Sequence, residues 1–277
     1  MAPTLNIIGC GQVGKVLGRL WTEHGTFQVQ DVLNRSSESA THAIEFLGAG
    51  RATPGWDDLH PADVFLIGTP DDQVEPTCAR LAESGLLRPG DVVFHCSGAL
   101  PSTALASAKT RGAATASVHP IRSFAGADAV ARAFVGTYCG MEGDAAALGV
   151  LGPAFSAIGA RLVTIDPRFK TIYHSAAVFS SNYLVSLLDV AVEAYAKAGV
   201  PRDEALRLME PLVRGTVDNV FRLGTTEALT GPIARGDVAT VLRQYRALSG
   251  WDKRIGALYK RLGKFTAAIA ARKRRQN

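Results

Sequence analysis

The 277-residue chain, with 47% hydrophobic and 20% charged residues, has the size and composition of one large or two moderate globular domains. Its net charge of +5 is unevenly distributed: residues 1–165 hold 11 Lys or Arg and 15 Asp or Glu, a net charge of −4, and residues 166–277 hold 19 and 10, a net charge of +9. The basic tail 272–275 has no interleaved aromatic residues, which argues against a nucleic-acid partner. The four cysteines form no C-x-x-C pair and the histidines are scattered, so the sequence predicts reduced thiols, a cytoplasmic protein and no metal site.

The first predicted strand runs directly into a glycine-rich turn. Apolar residues 5–8 precede this turn, and a helical pattern follows it. In such a strand–turn–helix unit, the first glycine makes the turn, the second admits the pyrophosphate and the third allows close packing of the helix. The helix N-terminus offers its free N–H groups to the phosphates. The pattern predicts a dinucleotide site formed by Gly9, Cys10, Gly11, Gln12, Val13 and Gly14.

The second predicted strand, residues 27–33, ends at the position whose residues distinguish NAD from NADP in this fold. A carboxylate about 20 residues beyond the last glycine binds the ribose 2′-hydroxyl of NAD. Here that position reads Asn34-Arg35-Ser36-Ser37, and Asp31 falls within the strand. The Arg35 guanidinium and the two hydroxyls suit a 2′-phosphate, so we expect NADP as the cofactor. The alternative is that these residues form only a polar loop.

Further apolar strands are predicted at 64–67, 92–96, 114–118, 137–139 and 161–165. Strands that alternate with helices predict a Rossmann-type doubly wound, mostly parallel α/β sheet. Loops at the carboxyl ends of its strands line the nucleotide crevice. We therefore add Gly68, Thr69, Pro70, Ser97 and Gly98 to the cofactor site, and expect Asp71 or Asp72 to cap the next helix.

From Asp166-Pro167 onward the pattern predicts only helices, which places a domain boundary between a nucleotide-binding domain, 1–165, and a helical substrate or dimerisation domain, 166–277. Residues 172–198 are apolar for long enough to raise the question of a membrane span. Polar residues interrupt them, so we expect one buried central helix and no membrane partner. Asp237 is expected to cap a later helix, and the last helix carries an apolar stripe. A second copy of the chain would cover such faces, so we expect a homodimer.

Several pieces of the chain together resemble a family of bacterial oxidoreductases that join a Rossmann-like NADP-binding domain to a helical C-terminal domain of unknown function. The pieces are residues 9–14, 34–36, 119–124, 173–174, 181–184 and 229–237. The plan is also similar to pyrroline-5-carboxylate reductase, ketopantoate reductase and the β-hydroxyacid dehydrogenases, and it implies an NADP-dependent reductase or dehydrogenase. The hydroxyacid dehydrogenases place a lysine and an asparagine four residues apart on their central helix. Here Lys170 is followed by His174 at that spacing, so their catalytic pair does not carry over.

Reduction of a carbonyl or imine needs a proton donor within reach of the substrate. His174 is the first candidate, with Ser181 and Asn182 expected on the same helix face to orient the substrate. His119 follows a strand at the crevice side and is a further candidate, although each of these residues could instead be structural. We expect the substrate to be closed in by Thr230, Gly231, Pro232 and Arg235, of which Arg235 is suited to a carboxylate.

These patterns predict an NADP-dependent oxidoreductase that transfers a hydride between the nicotinamide and a small carbonyl, imine or hydroxy-acid substrate, of the ketopantoate-like or pyrroline-carboxylate-like kind. The alternative is a non-catalytic NADP-binding sensor or dimeric scaffold. Residues 1–4 lack the basic flank of a signal peptide, so none is expected.

Overall fold

A single sheet of eight strands organises the first part of the chain, in a computed structural model that describes residues 1–276. The strands are β1 (Thr4–Ile8), β2 (Gln28–Leu33), β3 (Arg51–Thr53), β4 (Val64–Ile67), β5 (Val92–His95), β6 (Ala114–Pro120), β7 (Tyr138–Gly143) and β8 (Arg161–Thr164). Their order is β3-β2-β1-β4-β5-β6-β7-β8, and only β6 and β7 pair in antiparallel fashion. The predicted mostly parallel sheet is confirmed. The three-residue β3 was missed because it is too short to show a period.

The strand order reverses at β1. The chain passes from β1 to β2 on one side and later returns to β4 on the other side, so Ile8 pairs with both Leu33 and Ile67. A crevice opens at the carboxyl ends of the strands where such a reversal occurs, and ligands of open α/β sheets bind there. The glycine-rich turn and the loop after β4 both begin at this point.

Helices cover both faces of the sheet. They are α1 (Gln12–Glu23), α2 (Ser37–Leu47), α3 (Asp71–Glu83), α4 (Ala106–Lys109), α5 (Ala127–Arg132), α6 (Ala145–Ala157) and α7 (Lys170–Ser180). On one face, Trp21 packs edge-on against Phe94 and Phe155, with ring centroids 6.1 and 5.2 Å away, and its indole N–H donates to the Ala154 carbonyl at 3.1 Å. The other face has its own buried cluster around Phe65. The two cores hold the strand ends in register beneath the crevice.

The chain divides into two compact units, of which the first is Met1–Ser180 and the second starts at Ser181. The predicted boundary at 165/166 lies before α7, whereas the structure keeps α7 with the sheet. The second unit contains α8 (Asn182–Lys197), α9 (Arg202–Glu227), α10 (Pro232–Arg235), α11 (Val238–Trp251) and α12 (Lys253–Gln276), and its described residues form no strand. Asp237 caps α11 as predicted, accepting from the Thr240 amide at 3.0 Å.

The prediction of one buried central helix over 172–198 is wrong. Helix α7 ends at Ser180, and Ser181 has φ −125° and ψ −71°, which are not helical, before α8 begins. The offsets that were to place His174 on one face with Ser181 and Asn182 do not continue across this break. Most of α7 and α8 is also exposed within the single chain. The segment Pro167–Lys197 is long and apolar enough to span a membrane by length and hydropathy alone, and core helices of soluble proteins share this property.

Candidate functional site

The glycine-rich turn has the shape that a dinucleotide site needs. Gly9 has φ +88°, and a Cβ there would lie 2.7 Å from the Thr69 nitrogen, so only glycine fits. No atom lies within 4 Å of the Cβ position at Gly11, which leaves space for a ligand to approach the backbone. A Cβ at Gly14 would lie 3.5 Å from Ile7 Cγ2, which is van der Waals contact, so the helix packs against the strand. Helix α1 begins after Gly11 with no side chain capping its first amides.

Asn34 fixes the turn from the end of β2. The Cys10 amide donates to Asn34 Oδ1 at 2.6 Å, and Asn34 Nδ2 donates to Ser39 Oγ at 2.9 Å. Ser36 caps α2 by accepting from the Ser39 amide at 3.3 Å. The Arg35 side chain is exposed beside this crossover and makes no hydrogen bond or ion pair with any residue in 1–276. Its charge remains available to a ligand.

Asp31 serves the fold rather than a ribose. It is buried within β2, as expected, and its carboxylate accepts from Arg51 Nε at 2.9 Å and from the His60 amide at 2.7 Å. Burial works to raise the pKa of this carboxyl, but the hydrogen bonds from Arg51 and His60 outweigh it and hold the pKa below its usual range. No free carboxylate therefore competes with Arg35 for the ribose position.

The loop after β4 closes against the glycine-rich turn. A Cβ at Gly68 would lie 2.5 Å from the Gly9 carbonyl, so the two loops approach as backbones. Thr69 Oγ1 is buried and has no hydrogen-bond partner among the described residues. Pro70 precedes α3 without a side-chain cap, so the prediction that Asp71 or Asp72 caps this helix is wrong. Both carboxylates lie in the first turn of α3 instead, where their negative charge interacts favourably with the helix dipole.

Two imidazoles converge above Gly98, at the ends of β5 and β6. A Cβ on Gly98 would overlap His174 Nδ1 and would lie 2.8 Å from His119 Nε2, so glycine is required for both rings to occupy their places. The ring centroids of the two histidines are 5.6 Å apart. His119 Nδ1 shares a hydrogen bond with Tyr173 Oη at 3.2 Å. His174 Nδ1 is buried and, within residues 1–276, has no partner.

His95 holds the loop that carries Gly98. Its Nδ1 accepts from the Ser97 amide at 3.1 Å, which leaves Nε2–H to donate to the Pro101 carbonyl at 3.2 Å. Burial lowers the pKa of His95 to about 4, so the ring is neutral and structural. Ser97 Oγ accepts from the Ala99 and Leu100 amides, which shapes the same turn.

A buried ion pair lies beneath the histidines, and sequence reasoning did not identify it. Lys170 Nζ donates to Glu142 Oε1 at 3.0 Å and to Ser117 Oγ, and the two charged side chains are 1% and 3% exposed. Glu142 also accepts from the Ser102 amide and hydroxyl at 2.8 and 2.7 Å. The available signal was a glutamate inside the strand β7 together with a lysine four residues before His174.

The structure places the predicted residues of the first unit in two groups. One is the glycine-rich turn with Asn34, Gly68 and Thr69, and the other is Gly98 with His119 and His174, to which Tyr173 is an addition. Ser181 and Asn182 begin the second unit, and the predicted substrate residues Thr230, Gly231, Pro232 and Arg235 form the turn into α10, where Gly231 has φ +92°. Their roles toward a substrate stay predictions.

Two family models match the chain. Residues 3–120 match a Rossmann-like domain, and residues 137–266 match a domain of unknown function, DUF2520. Among curated proteins, none matches the chain significantly.

Solved structures share the whole architecture. The protein TM1727 from Thermotoga maritima is 27% identical, with a TM-score of 0.78 over 98% of this chain and 99% of its own. A pyrroline-5-carboxylate reductase from Coxiella burnetii is 13% identical, with a TM-score of 0.58 over 99% of both chains. An imine reductase from Myxococcus stipitatus, solved in complex with NADP⁺, is 15% identical, with a TM-score of 0.63 over 99% of this chain and 95% of its own. The two domain matches together cover most of the chain, with a Rossmann-like domain followed by a DUF2520 domain.

Proposed function

We propose that the chain is an NADP-dependent oxidoreductase that transfers a hydride between the nicotinamide and a small carbonyl, imine or hydroxy-acid substrate. The observation that carries this proposal is the pair of imidazoles above Gly98, of which His174 presents a buried and unpartnered Nδ1. Reductase names among the structural neighbours support the same class. We also propose that the protein is soluble and cytoplasmic, in keeping with its four free cysteines.

The residues at the strand reversal fit NADP. The open space at Gly11 and the uncapped first turn of α1 suit a pyrophosphate, and the buried Thr69 Oγ1 lacks a partner that a ligand would supply. Arg35 would hold the 2′-phosphate, and the loop 97–98 would border the nicotinamide. When bound, the cofactor supplies or accepts the hydride.

The protein's own contribution would be to position the substrate and to supply a proton. His174 would donate the proton to the carbonyl oxygen or imine nitrogen as the hydride reaches the adjacent carbon. Exclusion of water from such a site lowers the local dielectric constant and strengthens every polar interaction within it.

The competing function is a sensor or scaffold that binds NADP without chemistry. A buried nitrogen without a partner costs free energy, so a purely structural His174 would be expected to bond a neighbour, which favours the enzyme. Calorimetric titration with NADPH tests cofactor binding, and a panel of 2-keto acids, cyclic imines and 2-hydroxy acids, followed by nicotinamide absorbance, tests turnover. Absence of NADPH binding at millimolar concentration would remove both functions, whereas binding without turnover on any member of the panel would favour the sensor.

Arg35→Ala should weaken NADPH binding while leaving NADH binding unchanged. Loss of a charge-assisted contact costs about 1.5–3 kcal/mol, which corresponds to a dissociation constant roughly 10- to 150-fold higher. The matched control is Arg111→Ala, an exposed arginine that precedes the amino end of β6, whereas Arg35 follows the carboxyl end of β2. Calorimetry with both nucleotides measures the effect. Equal losses for NADPH and NADH would contradict the assignment of Arg35 to the 2′-phosphate.

We also propose that the second unit forms a homodimer. Its helices expose large apolar side chains, among them Leu212 on α9 at 64% and Phe265 on α12 at 72%. Apolar surface of this extent on a folded unit marks an interaction site, and a second copy is the partner always present. Sedimentation velocity should give the mass of two chains at micromolar concentration, and Phe265→Glu should shift it toward one. A wild-type mass of one chain would contradict the proposal.

A further inference from the structure

Tyr173 lies on α7, with its hydroxyl against strands β6 and β7. Its Oη is 3.2 Å from His119 Nδ1. A Cβ at Gly140 would overlap this hydroxyl, so glycine at that position is what admits the phenol. The ring of Tyr173 meets that of His119 edge-on, with centroids 5.7 Å apart. The phenol hydroxyl of Tyr173 is thus held against a single imidazole nitrogen.

The direction of this hydrogen bond follows from the neighbours of the phenol oxygen. An Nδ1–H that donated to the phenol oxygen would leave the phenol proton without an acceptor, whereas an unprotonated Nδ1 accepts that proton. Across the part of the chain that the structure describes, His119 Nδ1 is the side-chain partner of this hydroxyl. Burial raises the pKa of Tyr173 to about 12, so the phenol keeps its proton near neutral pH. Tyr173 therefore donates to His119 Nδ1.

A lone pair at Nδ1 determines where the proton of His119 lies. A neutral imidazole carries one N–H, and because Nδ1 is the acceptor this hydrogen must be on Nε2. Burial, helped by the nearby His174 and Lys170, lowers the pKa of His119 to about 4, so the ring carries no second proton near neutrality. Nε2 lies against Gly98, next to the unpartnered His174 Nδ1.

We propose that Tyr173 is a positioning residue that holds His119 as its Nε2–H tautomer, and that this N–H donates a hydrogen bond to the reacting group of the substrate. The second half of the proposal rests on the proposed function. A neutral imidazole N–H polarises an acceptor but is a poor proton source, so the proton would come from His174. The substrate must then offer a lone pair at its reacting atom, as a carbonyl oxygen or a neutral imine nitrogen does and a charged iminium does not.

The tautomer can be measured without any substrate, by nitrogen NMR of the full-length protein labelled with ¹⁵N-histidine. At neutral pH, His119 should show a pyridine-like Nδ1 and a pyrrole-like Nε2, with its signals assigned by their loss in His119→Asn. In Tyr173→Phe the Nδ1 acceptor bond is lost, and the pattern should shift toward a mixture of tautomers. The control Tyr138→Phe removes a phenol hydroxyl from β7 that contacts Arg161 and should leave His119 unchanged.

A pyrrole-like Nδ1 in the wild-type protein would overturn the assignment of Tyr173, whether or not the protein proves to be an enzyme. With an active substrate from the panel, Tyr173→Phe should lower kcat about 10- to 100-fold, as loss of a supporting hydrogen bond typically does, while NADPH affinity stays the same. An unchanged kcat, with the expected tautomer present, would overturn the role of His119 as donor and leave the proposed function standing.

Discussion

Glu142→Ala is expected to destabilise the protein by about 3–5 kcal/mol, the cost typical of removing one member of a buried ion pair. Lys170 would keep its ammonium with only Ser117 as a partner, and Ser102 would lose the acceptor for its amide and its hydroxyl. Since both charged side chains are at most 3% exposed, solvent offers almost no compensation. Such a loss is a large fraction of the total stability of an ordinary domain. Urea denaturation followed by circular dichroism measures it.

The pH dependence of this variant provides a second readout. Burial lowers the pKa of Lys170 below its ordinary value, and Glu142 opposes that shift, so its removal lowers the pKa further. Between the folded and the unfolded pKa of Lys170 the unfolded chain binds more protons, so stability must rise with pH there. The variant should therefore regain part of its lost stability as the pH rises from the lowered pKa of folded Lys170 toward the ordinary lysine pKa of about 10.4.

Two controls separate the buried charge from the loss of side-chain volume. Lys170→Met combined with Glu142→Gln removes both charges but keeps acceptors and donors for Ser102, and it should be more stable than Glu142→Ala. Glu210→Ala removes a carboxylate from an exposed i,i+4 pair with Arg214 and should change stability by less than about 1 kcal/mol. A Glu142→Ala variant as stable as Glu210→Ala would show that the pair is not charged and buried as described.

His174→Ala should lower kcat/KM by about 100- to 10,000-fold, the range spanned by the loss of a general acid. The residue contacts no protein hydrogen-bond partner through Nδ1 among the described residues, so its removal should leave folding and NADPH affinity intact. Steady-state kinetics on the most active substrate of the panel, with calorimetry for NADPH, measures both quantities.

The matched control for this substitution is His42→Ala, on the exposed face of α2. It should leave kcat/KM and cofactor affinity at their wild-type values. Unimpaired turnover by His174→Ala would remove the catalytic role of His174 without affecting the case for the cofactor site. A parallel loss of NADPH affinity would instead indicate that the ring supports the nicotinamide.

Much of the first unit was predictable because its signals are local. Mainly apolar runs such as 64–67 and 92–96 are typical of strands buried on both faces. A turn with Gly9 at positive φ favours glycine whatever the rest of the chain does. Arg35 could be located because its distance along the chain from the glycine-rich turn places it at the end of β2. The break at Ser181 was missed because the apolar pattern continues through this residue, so hydrophobic periodicity alone predicts one helix.

The amino-acid sequence by itself determined the parallel sheet, the glycine-rich turn and the position of Arg35, since each follows from backbone sterics or from a period of a few residues. Only the tertiary structure decided that Lys170 pairs with Glu142, 28 residues away, and that Tyr173 meets His119, 54 residues away. Such pairs depend on which strands become neighbours and on where Gly98 and Gly140 leave room for a ring. Close packing sets those distances, and no local pattern in the chain encodes them.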